Sequence, residues 1–180
     1  MSRGYGSKET EAMSKNHLYR ASVRWIGNRG SGTSDYRAYD RDHVVTFPGK
    51  DPLPGSSDPE FRGSRSRYNP EELLVSALSS CHMLWYLHLC AVAGIVVEEY
   101  SDEAEGVLET TADGSGRFSV VTLHPKVKIS RGPATQATGL HDRAHQLCFI
   151  ANSVNFTVRH EPVTEYVGPE PPDAGASASA

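Results

Sequence analysis

The sequence predicts an α+β fold, with mainly antiparallel strands curled over one long buried helix. Three observations carry that expectation. Leu73–Val97 is a run of 25 residues without Asp, Glu, Lys or Arg, directly behind a strong helix start. Short stretches alternating between apolar and polar residues stand on both sides of this run. A second, shorter helical stripe follows, and one more alternating stretch comes after it.

Taken in order, Tyr19, Ala21, Val23 and Trp25 alternate with Arg20, Ser22 and Arg24, the pattern of a half-buried strand. Gly27, Asn28, Gly30 and Gly32 then turn the chain. A second strand is expected over Thr33–Asp40 and a third over His43–Phe47. Pro48–Tyr68 is rich in Pro, Gly, Ser and Arg and reads as a loop of about 20 residues, a length that points to function. Asn69-Pro70-Glu71-Glu72 opens the long helix. Asn caps it, Pro takes the first helical position, and the two Glu complement the positive end of the dipole. The helix should run to Ala93 and stop at Gly94.

Val96–Glu109 reads as one weakly patterned strand, with a break near Asp102. Asp113-Gly114-Ser115-Gly116 is a hairpin turn, and Phe118–Ile129 is the partner strand. A second helix is expected over Gln136–Asn152, on the stripe Ala137, Leu140, Ala144, Leu147, Cys148 and Ala151. Val154, Phe156 and Val158 mark a last strand. The order is βββ-α-ββ-α-β in a single domain over 17–167, between polar ends at 1–16 and 168–180 that are expected to be disordered.

Composition narrows the function. Lys and Arg number 18 against 22 Asp and Glu, a net charge of -4, which disfavours nucleic acid and anionic membranes as partners. The uncharged run is long enough to span a bilayer. Ser76, Ser79, Ser80, His82 and His88 inside it argue for a buried helix instead. Three Cys, an odd number, and no apolar leader at the N-terminus favour free thiols in the cytoplasm over a disulfide framework.

Cys81 lies about three turns into the long helix, and Cys148 lies on the inner stripe of the second. Two core-facing helices bring such thiols within reach of each other, although a buried Cys is as often a small hydrophobe. Cys90 reads as core. His141, His145 and Cys148, at i, i+4 and i+7, stack on one helical face, and with Cys81 they make a weak zinc pattern. The simpler expectation puts His141 and His145 at the exposed edge of the stripe, and His82 and His88 as core histidines facing different ways. Arg62, Arg65 and Arg67 form a basic cluster before the long helix. It reads either as a solvated loop or as a source of positive charge for a thiolate.

The run Asn69-Pro70-Glu71-Glu72-Leu73 through Ser79-Ser80-Cys81 closely resembles the signature of the OsmC/Ohr family, osmotically inducible protein C and the organic hydroperoxide resistance proteins. Cys81 follows Glu71 by ten residues, as in that signature, and Cys148 stands at about the family's second Cys. Trp25-Ile26-Gly27-Asn28 through Gly32-Thr33 is also similar. The likeness implies an OsmC-like fold, an intertwined homodimer with thiols near the interface, and thiol-based reduction of organic hydroperoxides without metal or other cofactor.

It further implies Cys81 as the peroxidatic thiol, Cys148 as the resolving thiol, and Glu71 as the carboxylate of an Arg–Glu pair that holds the thiolate. Arg62 fits the Arg best, and Arg29 is the alternative. The Cys-Pro that some members carry at the second Cys is absent, since Phe149 follows Cys148. The expected partners are a small peroxide, a dithiol reductant and a second copy of the chain. Leu84, Trp85 and Tyr86 are candidate walls of an alkyl pocket. The rival reading is a binding protein that uses the same apolar pocket for a hydrophobic ligand or a metal ion.

Overall fold

A computed structural model describes residues 15–168. The ends expected to be disordered, 1–16 and 168–180, lie outside the described residues except for 15, 16 and 168. The chain divides into two compact units between Tyr68 and Asn69.

The first unit carries a three-stranded antiparallel sheet in the order β1 (Ser22–Trp25), β2 (His43–Thr46), β3 (Leu53–Gly55). Thr33–Asp40 is not the strand its composition suggested. Only an isolated antiparallel bridge, Asn28 to Tyr39, forms here, and side chains take many of the backbone groups in and just before the segment. The Asn28 carboxamide oxygen accepts the Gly30 and Gly32 amides at 2.8 and 3.0 Å. Arg29 donates to the Arg37 and Ala38 carbonyls, and Arg41 to those of Tyr36 and Tyr39. Arg41 also sits 4.3 and 4.2 Å from the Tyr36 and Tyr39 ring centres.

Gly27 is needed here. A Cβ on it would stand 1.9 Å from the Asp40 carbonyl oxygen, and the Trp25 indole N–H donates to that same oxygen at 2.8 Å. β1 is exposed along its whole length, with Val23 66% and Trp25 42% exposed, and not half-buried as expected. Alternation marks two faces of a strand but not what covers either. The expected loop Pro48–Tyr68 contains β3 and a 3-10 turn at Pro59–Phe61, capped by the Asp58 carboxylate.

The second unit opens with α1 (Pro70–Val92). Asn69 Oδ1 accepts the Glu72 amide at 2.7 Å and Glu72 Oε2 accepts the Asn69 amide at 3.1 Å, a reciprocal cap that satisfies two otherwise free donors. Burial within the chain is one-sided. Leu78, His82, Tyr86 and Cys90, every fourth residue, are buried, while Leu84 is 64% and Val92 73% exposed on the opposite side. The expected burial on all sides is therefore not met by one chain alone.

β4 (Val96–Asp102), β7 (Pro125–Arg131) and β9 (Val163–Tyr166) form one sheet. β5 (Glu105–Thr110), β6 (Gly116–Leu123) and β8 (Thr157–His160) form another. The first turns of α1 pack Leu78 on Phe118, Val121 and Leu123 of the second sheet. The last turns pack Tyr86 and Cys90 on Val127, Ile129, Ala137 and Ala144 of the first sheet and α2 (Ala134–Leu147).

Val96–Glu109 breaks after Asp102, as expected, into β4 and β5, while the single strand expected over Phe118–Ile129 is split at His124 into β6 and β7. Asp102 ties the corner. Its Oδ1 accepts the His124 amide at 2.7 Å, between β6 and β7, and its Oδ2 accepts the Ser79 hydroxyl at 2.5 Å, from α1. β6–β8 and β7–β9 are parallel, not antiparallel. Parallel pairing needs a long crossover, and α2 supplies it. β9 was not anticipated, and the architecture is α+β as expected.

Candidate active site

α2 ends at Leu147 because Cys148 takes an extended backbone (φ -65°, ψ 111°), its N–H reaching the His145 carbonyl at 3.2 Å. The expected helix to Asn152 thus stops at Leu147, and a 3-10 turn, Ala151–Ser153, follows. That turn points the Ala151 N–H at Cys148 Sγ, 3.4 Å away. Cys148 is 1% exposed. Its thiol neighbours the Cys81 thiol of α1, and burial pushes it up to about 11; the Ala151 N–H opposes the rise and the neighbouring Cys81 adds to it. Cys81 itself is only half-buried, and all three cysteines are free. The fold thus brings together two thiols that stand 67 residues apart in sequence. Cys90 belongs to the core beneath α1, with burial raising its thiol.

Glu71 sits in the first turn of α1, and its Oε2 is buried without a hydrogen-bond partner. Ten residues separate it from Cys81, about 15 Å of helix, so it does not reach the thiol of its own chain. Arg62 belongs to the first unit, where it closes the 3-10 turn in a left-handed conformation (φ 67°), exposed and 5.9 Å from the Tyr36 ring centre. Arg29 is occupied by the Arg37 and Ala38 carbonyls and Asp40, and Arg67 by Asp42 at 2.8 Å.

The expected apolar wall is only partly present. Trp85 packs edge-on against exposed Phe149, ring centres 5.5 Å apart, while Tyr86 points into the core and Leu84 outward. A groove of about 680 Å³ lies over β4, β7 and β9. Glu98, Lys126, Lys128 and Glu165 are among its lining residues, and no cysteine lines it.

Histidine placement departs most from expectation. His141 is not at an exposed edge; it is fully buried, as is His82. His82 Nε2 and His141 Nδ1 are 2.9 Å apart, with ring planes within 9°. Tyr86 stacks on His141 at 3.8 Å. His160 lies 5.5, 6.2 and 5.6 Å from the His82, His141 and His145 ring centres. Burial, and then the neighbouring imidazoles, lower His82 to about 4 and His141 to about 3. Both rings are neutral at pH 7.

The weak zinc pattern is not met. Among the described residues no three His, Cys, Asp or Glu side chains are arranged to hold an ion. The signal for the pair was present in the sequence, since His82 falls on the Leu78–Tyr86–Cys90 stripe and His141 on the Ala137–Ala144 stripe. Both were histidines at core positions of packed helices.

The pattern of the OsmC-like protein family matches residues 63–162. A solved OsmC-like protein of unknown function from Vibrio cholerae is 33% identical, covers 82% of this chain and 100% of its own, and superposes with a TM-score of 0.74. The uncharacterized protein YmaD of Bacillus subtilis is 24% identical over 141 residues, 78% of this chain and 83% of its own. An organic hydroperoxide resistance protein from Legionella pneumophila, at 20% identity, shares the fold over 84% of this chain and 100% of its own, with a TM-score of 0.58. A match over more than half the sequence, and a solved relative of the same fold at one-third identity, place the chain in the OsmC-like protein family.

Proposed function

We propose that this protein is a thiol-dependent peroxidase that reduces organic hydroperoxides, and hydrogen peroxide as a secondary substrate. Family membership supports a redox or peroxide-resistance role. The observation that carries the finer reading is that the free thiols of Cys81 and Cys148 are neighbours across the α1–α2 seam. Of the two, half-buried Cys81 is open to a substrate, and buried Cys148 is held against it.

In this reading the Cys81 thiolate attacks the peroxide, the O–O bond breaks, and alcohol leaves with Cys81 as sulfenic acid. Cys148 condenses with it to a disulfide, which a cytoplasmic dithiol reduces by exchange. Arg62, paired with Glu71, is the proposed cation that holds the thiolate. The buried, unpartnered Glu71 oxygen and the exposed outer side of α1 favour a homodimer in which a second chain completes each site. No metal or organic cofactor enters the scheme.

The test is turnover of tert-butyl and cumene hydroperoxide beside hydrogen peroxide, with a dithiol reductant, for the wild type and Cys81→Ser. Turnover lost only in the variant is expected. Equal turnover in both, or a wild type that keeps both thiols after a stoichiometric dose of peroxide, refutes the reading and returns the site to a binding role.

A further inference from the structure

The segment after α2, Cys148 to Ser153, carries the buried thiol, and it contains no proline to stiffen its backbone. Its shape comes from local bonds. The Asn152 amide donates to the Cys148 carbonyl at 3.0 Å, and the Ser153 hydroxyl to the Phe149 carbonyl at 2.7 Å. The Asn152 carboxamide donates to the Gln146 carbonyl at 3.0 Å and ties the turn to the end of α2. These bonds fold the turn, but none of them reaches α1, where Cys81 stands.

Side chains make that connection, on both sides of Cys81. Ile150 and Ala151 pack on the cluster of Leu78, Phe118, Val121 and Leu123, and Leu78 lies three residues before Cys81 on α1. Phe149 meets Trp85, four residues after Cys81, edge-on, with ring centres 5.5 Å apart and planes at 86°. Trp85 is itself held. It packs on the core cluster of Tyr86 and Cys90, and the His88 ring lies edge-on to it at 5.9 Å. Three to four residues are one turn of helix, so the two anchors fall about one turn below and one turn above Cys81. Between them Cys148 is the neighbour of the Cys81 thiol. The anchors differ in kind. Ile150 and Ala151 join a buried cluster, whereas Phe149 is mostly exposed, so its replacement opens no core cavity.

We propose that the Trp85–Phe149 pair is a clasp that keeps Cys148 beside Cys81, which makes both aromatic residues positioning residues for disulfide closure. The inference deepens the peroxidase reading above and, for its part in turnover, rests on it. In that turnover the Cys148 sulfur bonds the sulfur of the Cys81 sulfenic acid. The S–O bond breaks, and the oxygen leaves as water with the Cys148 proton. The clasp acts on this step through proximity. The larger the fraction of time Cys148 is in place, the higher its effective concentration at Cys81. An edge-to-face aromatic pair corresponds to a gain of about fivefold in that concentration.

Two measurements test the clasp. The first is an equilibrium and needs no peroxide. In mixtures of reduced and oxidised glutathione, one oxidised glutathione takes the two electrons of Cys81 and Cys148 and becomes two reduced ones. Peptide mass mapping reads the fraction of protein disulfide. Phe149→Ala and Trp85→Ala should each lower the effective concentration of the thiol pair about fivefold, and Phe149→Tyr should keep the wild-type value. The double alanine variant should be no weaker than either single one, because both remove the same contact. If Trp85→Ala fails to fold, the two Phe149 variants decide alone. The second measurement is a single turnover with one equivalent of cumene hydroperoxide. Phe149→Ala should lose its Cys81 thiol at the wild-type rate and close the disulfide about fivefold more slowly.

A Phe149→Ala disulfide as stable as that of the wild type, or one that closes as fast in an active enzyme, overturns the clasp. So do losses that add in the double variant. A wild type that keeps its Cys81 thiol under peroxide, while Phe149→Ala still shows the loss in glutathione, refutes the peroxidase reading and leaves the clasp standing.

Discussion

Lowering the pH from 7 to 5 should cost this protein several kcal/mol through two side chains, His82 and His141. Their folded-state values are about 4 and about 3, and an unfolded histidine titrates near 6.5. Both shifts are downward, so the unfolded chain binds more protons. Stability from this source is complete above about pH 6.5, falls as the pH drops towards 4 and 3, and levels off below. At pH 5 each group contributes a loss of about 2 kcal/mol relative to pH 7, or about 4 kcal/mol for the pair. That is a large share of a typical stability of about 5–15 kcal/mol.

Among the described residues no carboxylate pairs with either ring, so the charged form has nothing there to offset its desolvation. Urea unfolding at pH 7, 6 and 5 measures the loss directly, with the slope of each transition checked for constancy. Replacing His141 with Phe removes one titrating ring and should about halve the pH dependence, whatever it does to the stability at pH 7. A wild type whose stability at pH 5 lies within 1 kcal/mol of its value at pH 7 would refute the reasoning. So would an imidazole NMR titration that finds His141 charging near 6.5.

One equivalent of peroxide on the reduced protein should yield a Cys81–Cys148 disulfide by peptide mass mapping, with Cys90 still free; a Cys81–Cys90 link would show that the thiol pair has been misassigned. Cys148→Ser should instead leave a Cys81 sulfenic acid that over-oxidises in excess peroxide, read as a mass gain on the Cys81 peptide. Asn69→Ala removes the side chain that accepts the Glu72 amide and should lower stability by about 1 kcal/mol in chemical denaturation, with peroxide chemistry retained. Co-expressed Glu71→Ala and Cys81→Ser chains should regain activity at one of the two sites of a heterodimer, if a second chain completes the site. A heterodimer as inactive as both parents, or a protein that sediments as a monomer, would disprove shared sites.

Local rules were enough wherever one segment settles its own structure. The Asn69-Pro70-Glu71-Glu72 cap, the helix stop at Gly94 and the Asp113–Gly116 hairpin stand as the sequence alone predicts, because capping and turn chemistry act within a few residues. The Asn-Pro-Glu…Cys spacing pointed to the family for a similar reason: a helix converts sequence separation into fixed distance.

Tertiary structure decided whatever depends on partners far along the chain. Thr33–Asp40 is turn and not strand because the Arg29 and Arg41 guanidinium groups take carbonyls that a ladder would have used. β8 and β9 lie parallel to β6 and β7 because α2 carries the chain back across the sheets, and alternation carries no strand direction. Cys148 meets Cys81, and His141 meets His82, only where α1 and α2 cross. A residue type shows what chemistry a side chain can do, but its partner, its burial and hence its protonation belong to the packed helices that enclose it.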